Sequence, residues 1–339
     1  YNVYLFERDN GQPLWNYTSG GAIRDVAITP DGDYIVAGGV GSDIILFDKN
    51  SNTPIWTYNA GGSNDHIYTV AISADGEYII AGSKNGRLYL FDKESNTPIW
   101  DYQTVGESGV WSVEISTNGE YIVAGSRGPS GGVYLFDKDS STPVWSSVIG
   151  SVYSASISAD GEYVSAEAGG EFYLFEKNSS SPLWNYTIGE DGRVNTIAFS
   201  ENGTYIAVAC NDDKVYLFNK NSSTPLWNYD TQANGFVTSV AISANGQFIA
   251  AGASNNIVYL FSKDSSNPLW NYTTGGWVYS VSLSGDGSYL VAGSWDYKIY
   301  LFNSLSSVTT DSDGDGMLDD FDAFPSDPNE WSDLDGDGV

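Results

Sequence analysis

The sequence predicts an all-β fold, a seven-bladed β-propeller of four-stranded blades followed by a short C-terminal calcium-loop segment. Three observations lead to this prediction. A unit of 39 to 45 residues recurs, and each copy holds a Tyr-Leu-Phe-like triplet, which ends at Phe6, Phe47, Phe91, Phe136, Phe175, Phe218, Phe261 and Phe302. The hexamer PLWNYT stands at 13–18, 182–187 and 268–273, and aromatic residues make up 14% of the chain against only 17% charged residues. Four short strands per unit of this length are typical of a propeller blade.

The unit at 237–273 shows the order of its strands. VTSVAIS (237–243) and QFIAAG (247–252) are separated by an Asn-Gly turn, and IVYLFSK (257–263) and PLWNYT (268–273) follow. An Asp-Gly or Asn-Gly dipeptide stands between the first two strands of every unit. Such dipeptides accept the positive φ of a tight hairpin, so each unit is expected to begin with one.

The fourth strand carries a recurring tryptophan. It stands at Trp15, Trp56, Trp100, Trp145, Trp184, Trp227 and Trp270. A proline precedes it in each copy, which fits an outer edge strand with no partner for that backbone position. We expect the indole to fill the wide outer gap between neighbouring blades.

Closure of the ring is expected to use both ends of the repeat region. The units contain eight third strands but seven of each other strand, so residues 13–18 are expected to supply the outer strand of the blade at 278–302. One third strand is then surplus, either 2–6 or 298–302, and we favour the C-terminal one inside the blade. The propeller is expected to cover 1–302, and an eighth blade in a longer polypeptide stays open.

The repeats resemble two known propeller families. VYSVSLSGDGSYLVAGSWDYKIYLF (278–302) is similar to the WD-repeat consensus, whereas the YLFxKxSxxPLWNYT stretch is similar to quinoprotein-type repeats, in which an outer-strand Trp docks on the next blade. The WD-repeat Gly-His pair is missing from this chain. The quinoprotein resemblance implies a redox enzyme with a quinone slot near the axis, a calcium ion, a catalytic Asp and often a vicinal disulfide. Asp25 and Glu114 are acids expected to face the axis, but a single cysteine, Cys210, excludes the disulfide.

An acidic segment follows a polar linker at 303–310. The motif DSDGDGMLDDFD has the oxygen-ligand spacing of an EF-hand-type calcium loop, and a second copy starts near the end of the sequence. The candidate ligands are Asp311, Asp313, Asp315, the carbonyl of Met317, Asp319, Asp322, Asp333, Asp335 and Asp337. Residues 311–339 resemble thrombospondin type 3 repeats, which implies calcium bound in an extracellular stalk. The alternative is a disordered acidic linker.

Calcium binding by this segment is directly testable. Titration calorimetry with calcium is expected to show binding heat that falls in the variants Asp313→Ala and Asp315→Ala, because each variant removes a charged oxygen ligand. The lone His66, which lies outside the motif, offers a control through His66→Ala. Equal heat in all three variants and in the parent chain would contradict the ligand assignment.

Charge and composition limit the partners. The formal net charge is −29, with 43 acidic residues against 14 basic ones, so binding to a nucleic-acid backbone is not expected. No apolar stretch is long enough to span a membrane. A calcium site favours a location outside the cell or at its surface. The chain begins inside a repeat, so we expect it to be a piece of a longer polypeptide. We also expect it to be a monomer.

Residues that vary between copies are the candidates for partner binding. The position after the first Val or Ile of each first strand is expected near one mouth of the central channel, and nearby loops add further side chains. The candidates are Arg24, Tyr68, Trp111, Tyr153, Tyr279 and Trp295. These rings either pack between blades or form an exposed rim for a protein or glycan. We therefore expect a noncatalytic extracellular binding or adhesion scaffold on a calcium-stabilised stalk, with a quinoprotein-like oxidoreductase as the alternative.

Overall fold

The computed structural model describes residues 1–6, 13–62, 65–105, 109–188, 192–233 and 235–304. Within these ranges the chain forms eight antiparallel sheets and no helix. The prediction of an all-β fold is confirmed, and six of the sheets have four strands in consecutive order, as in the blades of a β-propeller.

The strands follow one another in a regular order. The N-terminal hairpin comprises β1 (Asn2–Phe6) and β2 (Pro13–Thr18). Blade 1 has β3 (Ile23–Ile28), β4 (Tyr34–Gly39), β5 (Asp43–Asp48) and β6 (Trp56–Asn59); blade 2 has β7 (Ile67–Ile72), β8 (Tyr78–Ser83), β9 (Arg87–Asp92) and β10 (Trp100–Gln103). Blade 3 has β11 (Val110–Ile115), β12 (Tyr121–Ser126), β13 (Val133–Asp137) and β14 (Trp145–Ser147); blade 4 has β15 (Val152–Ile157), β16 (Tyr163–Ala168), β17 (Glu171–Glu176) and β18 (Trp184–Thr187).

The remaining strands complete the set. Blade 5 has β19 (Val194–Phe199), β20 (Tyr205–Cys210), β21 (Lys214–Asn219) and β22 (Trp227–Asp230); blade 6 has β23 (Val237–Ile242), β24 (Phe248–Ala253), β25 (Ile257–Ser262) and β26 (Pro268–Thr273). Blade 7 has three strands, β27 (Val278–Leu283), β28 (Tyr289–Ser294) and β29 (Ile299–Asn303).

The turn between the first two strands has one construction throughout. In blade 2 the Ser73 hydroxyl donates to Asp75 Oδ1 at 2.6 Å and accepts the backbone N–H of Tyr78 at 3.0 Å. Gly76 follows with a φ of 75°, which glycine adopts without steric cost. The same arrangement of a hydroxyl, an Asp or Asn and a glycine recurs in the other blades, so the predicted hairpins are confirmed.

The outer-strand tryptophan links each blade to the next. In blade 2, Trp100 Nε1 donates to the carbonyl of Lys138 in blade 3 at 2.8 Å, and its ring lies 5.4 Å from that of the buried Phe136. The other outer-strand tryptophans donate in the same way to the following blade. Their acceptors are the carbonyl oxygens of Lys49, Lys93, Lys177, Lys220, Lys263 and Ser304. The predicted wedge is therefore confirmed, and the hexamer serves the architecture.

The first strands surround a common axis. A cavity of about 320 Å³ at one end is lined by residues from six blades, among them Pro30, Glu114 and Gly285. Side chains also link neighbouring first strands. Asp25 accepts the backbone N–H of Val70 in the next blade at 2.8 Å, and in other blades a Ser or Thr hydroxyl at the same position accepts the equivalent N–H. The inner ends of the blades are thus held in register by polar bonds.

The pairing predicted for residues 13–18 is not formed. Strand β2 pairs with β1, and no strand of the described ranges lies beside the outer edge of β29. The local pair forms because a hairpin closes a loop of a few residues, whereas the predicted pair would join segments at opposite ends of the repeat region. Both candidate third strands are therefore in use, β1 in the hairpin and β29 in blade 7.

Two further sequence predictions concern the calcium ligands and a membrane span. All nine candidate calcium ligands at 311–337 lie outside the described residues. Within the described ranges there is no helix of the length and apolar character needed to cross a membrane.

Candidate functional site

Four of the six candidate partner-binding residues come together at one mouth of the channel. Arg24, Tyr68, Trp111 and Tyr153 occupy the second position of the first strands of blades 1 to 4, so the propeller repeat places them side by side. Tyr68 and Trp111 have ring centroids 4.7 Å apart, and Trp111 and Tyr153 are 6.2 Å apart. The guanidinium of Arg24 lies 4.8 Å from the Tyr68 ring centroid.

Two more arginines complete this row of side chains. Arg127 follows β12 and lies over both Trp111 and Tyr153, at 4.4 and 4.3 Å from their centroids. Arg193 precedes β19 and lies 4.5 Å from the Tyr153 centroid. We call Arg24, Tyr68, Trp111, Arg127, Tyr153 and Arg193 the arginine–aromatic arc. Each cation stacked on a ring contributes about 0.5–2 kcal/mol, so the rings hold the guanidinium planes in place.

The arc has unused hydrogen-bonding capacity. In the part of the chain that the structure describes, Arg24, Arg127 and Arg193 form no ion pair with a carboxylate. The Nε of Arg127 is buried and has no acceptor among the described residues. A buried donor without a partner costs about 1–3 kcal/mol, so an acceptor arriving here would recover that free energy.

A cavity of about 260 Å³ opens beside the arc. It is lined by Trp111, Arg127, Tyr153, Arg193, Val194 and Asn195. The cavity thus offers flat aromatic faces, two guanidinium groups and an amide. This combination suits a planar group that carries carboxylates, because arginine binds a carboxylate through two parallel N–H bonds.

The other two predicted residues form a separate group. Tyr279 and Trp295 contact each other at 5.6 Å, and Trp295 also lies 5.0 Å from Trp277. These rings are about half exposed. In blades 5 and 6, which separate the two groups, the second position of the first strand holds Asn195 and Thr238. These side chains donate to the carbonyls of Val237 and Val278, respectively. The six candidates therefore do not form one ring.

The axial acids serve as links between blades. Asp25 accepts from the backbone of Val70, and Glu114 accepts the N–H of Ile157 at 2.9 Å. Burial raises the pKa of both carboxyls, and these hydrogen bonds oppose the rise. Glu114 also lines the axial cavity and is half-buried.

One acid stands out in the interface between blades 4 and 5. Glu167 is 1% exposed, its Oε2 has no partner in the described chain, and its Oε1 accepts only a long 3.4 Å bond from Gly170. Burial raises its pKa to about 7, while Arg193 acts in the opposite direction. Burial raises the pKa of the Cys210 thiol, and the charges of Asp212 and Glu167 add to this rise.

Sequence reasoning missed Arg193 and Glu167. Arg193 stands in a loop that the repeat pattern does not fix, so only the assembled mouth reveals its role. Glu167 offered a signal, because the corresponding position is glycine in blades 1, 2, 3, 6 and 7. A charged residue in a place that otherwise takes glycine indicates a local change of packing.

The described residues provide no clustered metal ligands. No group of three or more His, Cys, Asp and Glu side chains in these ranges is arranged to hold a metal ion. The oxygen atoms of Asp25 and Glu114 belong to different blades and already accept backbone hydrogen bonds.

Comparison with known proteins gives one family match. The sequence profile of the family PQQ_2, described as outer membrane protein assembly factor BamB, matches residues 1–151 and 129–286. Among curated proteins none matches the chain. The profile covers blades 1 to 6 and therefore includes the whole arginine–aromatic arc.

Proposed function

The chain belongs to the family described as outer membrane protein assembly factor BamB, and from this premise we propose that it is a quinoprotein-like β-propeller that binds a planar, carboxylate-bearing ligand at the arginine–aromatic arc. The ligand class is that of carboxylated quinones and related flat acids. The stacked arginines at one mouth of an acidic protein are the observation that carries this proposal.

The family match corrects our expectation from the sequence. We expected a noncatalytic extracellular binding or adhesion scaffold on a calcium-stabilised stalk, and that expectation is wrong. A profile match over most of the repeats favours the quinoprotein-like alternative or an assembly-type propeller instead.

The concentration of arginines at this mouth is unusual for the chain. Three of its five arginines lie in the arc, although the formal net charge is −29. The acidic surface repels an approaching anion over distances of about a Debye length, 8–10 Å, so contacts at the mouth must supply the affinity. The guanidinium groups that lie on the aromatic rings provide such contacts.

The geometry accounts for selectivity towards flat ligands. Trp111 and Tyr153 both lie within 4.4 Å of the Arg127 guanidinium, and these two contacts restrict the orientation of its plane. A flat ring system can continue this stack, while the guanidinium of Arg193, which lines the same cavity, can meet a carboxylate at its edge. A ligand with the same charge but no flat face would lose the stacking contribution.

Quinone chemistry that depends on a metal ion does not fit the described residues. Such chemistry requires carboxylates gathered around the ion, whereas the acids near the axis are separated and accept backbone bonds of the next blade. We therefore propose binding without a redox step. When bound, a quinone would supply its own redox-active ring, and the residues of the arc would bind and orient it.

Binding of pyrroloquinoline quinone, a planar tricarboxylate, tests the proposal. We expect it to quench tryptophan fluorescence with saturation, and the dissociation constant to rise about tenfold in Arg127→Gln, because losing a charge-assisted hydrogen bond costs about 1.5–3 kcal/mol. Arg87→Gln is the matched control, since Arg87 is paired with Asp101 at 2.7 Å away from the arc and should bind normally.

Citrate separates shape from charge in the same assay. It carries three carboxylates without a flat ring, so we expect it to bind at least tenfold more weakly than the quinone. Equal binding of the two ligands, or an unchanged dissociation constant in Arg127→Gln, would contradict the proposal.

A second candidate follows from the family's description. An assembly factor would use the same arc to hold an acidic peptide, and the scattered acids of the axis favour this role over redox chemistry. An aspartate-rich peptide that binds more tightly than the quinone, and loses affinity in Arg127→Gln, would support it. Calcium binding at 311–339 and a location outside the cell or at its surface stay predictions.

A further inference from the structure

The N-terminal hairpin has the geometry of the outer half of a blade. Leu5 pairs with Trp15 and Phe6 with Pro13, and the register shifts between the two pairs. Blade 6 shows the same pairs and shift in its third and fourth strands, β25 and β26. Trp15 also donates to the Lys49 carbonyl of blade 1 at 2.7 Å, as an outer-strand Trp does towards the following blade.

The inner half of this blade is missing from the described chain. In blades 1 to 6 a second strand pairs with the inner edge of the third, and a first strand pairs with the second. The edge of β1 that faces away from β2 has no strand beside it in the described ranges. Its backbone N–H and C=O groups are therefore a template for another strand.

The flanks of the empty position are apolar faces that other blades bury. Val26 on β3 is 54% exposed, whereas its counterpart Val70 on β7 is 4% exposed. On the other flank, Ile299 of β29 is 66% exposed, whereas the corresponding Val215 is fully buried. Both flanks thus show surfaces that belong between two blades.

Glycines at the blade interfaces give independent support. A Cβ on Gly82 would lie 2.6 Å from Val110 of the next blade, and a Cβ on Gly252 would lie 2.5 Å from Val278. The equivalent Gly293 of blade 7 has nothing within 4 Å. In the other blades, a Cβ at this glycine would contact the first residue of the next blade's first strand. At Gly293 of blade 7 no such residue is present in the described chain.

A cavity lies between β1, β3 and β29. It has a volume of about 380 Å³ and is lined mainly by apolar side chains of β1 and β3, together with Ile299 of blade 7. One wall is the free edge of β1. A helix cannot pair with that edge, because only an extended chain matches its backbone spacing. The inner strands of a second copy are already paired within its own complete blades.

We propose that this space binds a two-stranded antiparallel β-hairpin with the inner-strand pattern of the chain's own repeats. One strand of the hairpin adds to β1, and the other lies against β3 with its first Val or Ile over Gly293. The hairpin would complete a further blade between blade 7 and blade 1. Its recognition combines main-chain hydrogen bonds with alternating apolar side chains, as in other cases of strand addition.

A synthetic peptide of residues 67–83, IYTVAISADGEYIIAGS, is the probe. It contains a first strand, an Asp-Gly turn and a second strand. With a fluorescent label at its N-terminus, we expect a saturable anisotropy increase with one peptide bound per chain. The peptide variant Val70→Asp should bind at least tenfold more weakly, because it places a charge against an apolar flank.

Two variants of the protein locate the site. Gly293→Val should weaken peptide binding at least tenfold and leave thermal unfolding unchanged, since its side chain enters open space and obstructs only the hairpin. Val26→Asp should weaken binding similarly. Val148→Asp is the control, because Val148 is exposed on a loop outside the cavity.

Three results would overturn the proposal. They are equal affinity of the parent chain and Gly293→Val, equal binding of the Val70→Asp peptide, and a dimer in light scattering that Gly293→Val abolishes. The last result would identify a second copy as the occupant. A bound peptide with 1:1 stoichiometry that Gly293→Val excludes would establish the site, whatever the outcome of the quinone experiment.

Discussion

Replacing Trp100 with alanine is expected to lower the free energy of unfolding by about 4 kcal/mol, since substitution of a buried Trp by Ala typically costs about 3–5 kcal/mol. Trp100 is 9% exposed and packs against Phe136 of the next blade. The substitution also removes the donor that reaches the Lys138 carbonyl. Urea unfolding monitored by circular dichroism measures the change.

Two further variants divide the contribution of Trp100. Trp100→Phe keeps most of the ring packing and loses the N–H, so its cost should be about 1 kcal/mol plus the smaller ring's packing loss. Trp295→Ala is the exposed control, and its cost should stay at about 1 kcal/mol, the size of the ring contacts it makes with Trp277 and Tyr279. A Trp100→Ala variant as stable as Trp295→Ala would show that the wedge is not a main source of stability.

Replacing Glu167 with glutamine is expected to make the protein more stable at pH 8 by about 3 kcal/mol, since a pKa unit corresponds to about 1.4 kcal/mol. The pKa of Glu167 is raised from 4.5 to about 7 by burial. The folded protein therefore binds this proton more tightly than the unfolded chain does. Its stability is greatest below pH 4.5, falls as the pH rises to about 7, and is then constant with respect to this group.

Glutamine removes the charge and nearly keeps the shape, so the variant should lose this part of the pH dependence. The two proteins should have similar stability near pH 4.5 and diverge above it. Glu176→Gln, at an exposed position of the same blade, should change the stability by less than about 0.5 kcal/mol at either pH. Parallel stability curves for the parent chain and Glu167→Gln would contradict the assignment of a buried neutral carboxyl.

The repeat made most of the fold predictable. The Asp-Gly and Asn-Gly turns, the order of four strands and the position of Trp100 between blades depend on residues that recur in each unit, and local rules govern them. The pairing of residues 13–18 was not predictable, because the sequences of β1 and β29 suit β2 equally well. Chain connectivity decides between them in favour of the short hairpin.

The site was less predictable than the fold. Arg24, Tyr68, Trp111 and Tyr153 were identified because one position of the repeat varies from copy to copy. Arg127 and Arg193 reach the same rings from loops, and no periodic pattern predicts where a loop side chain will stack. Their contribution becomes visible only when neighbouring blades stand side by side.

The indole bond from each outer strand to the following blade has a consequence for how such chains grow. Blades 1 to 6 each carry both the indole donor that reaches the following blade and the carbonyl that accepts from the preceding unit. A unit added by duplication of a gene segment would therefore already carry the hydrogen-bonding groups that link it to the blades on both sides. Lengthening or shortening the array changes the curvature of the ring and requires no new connector.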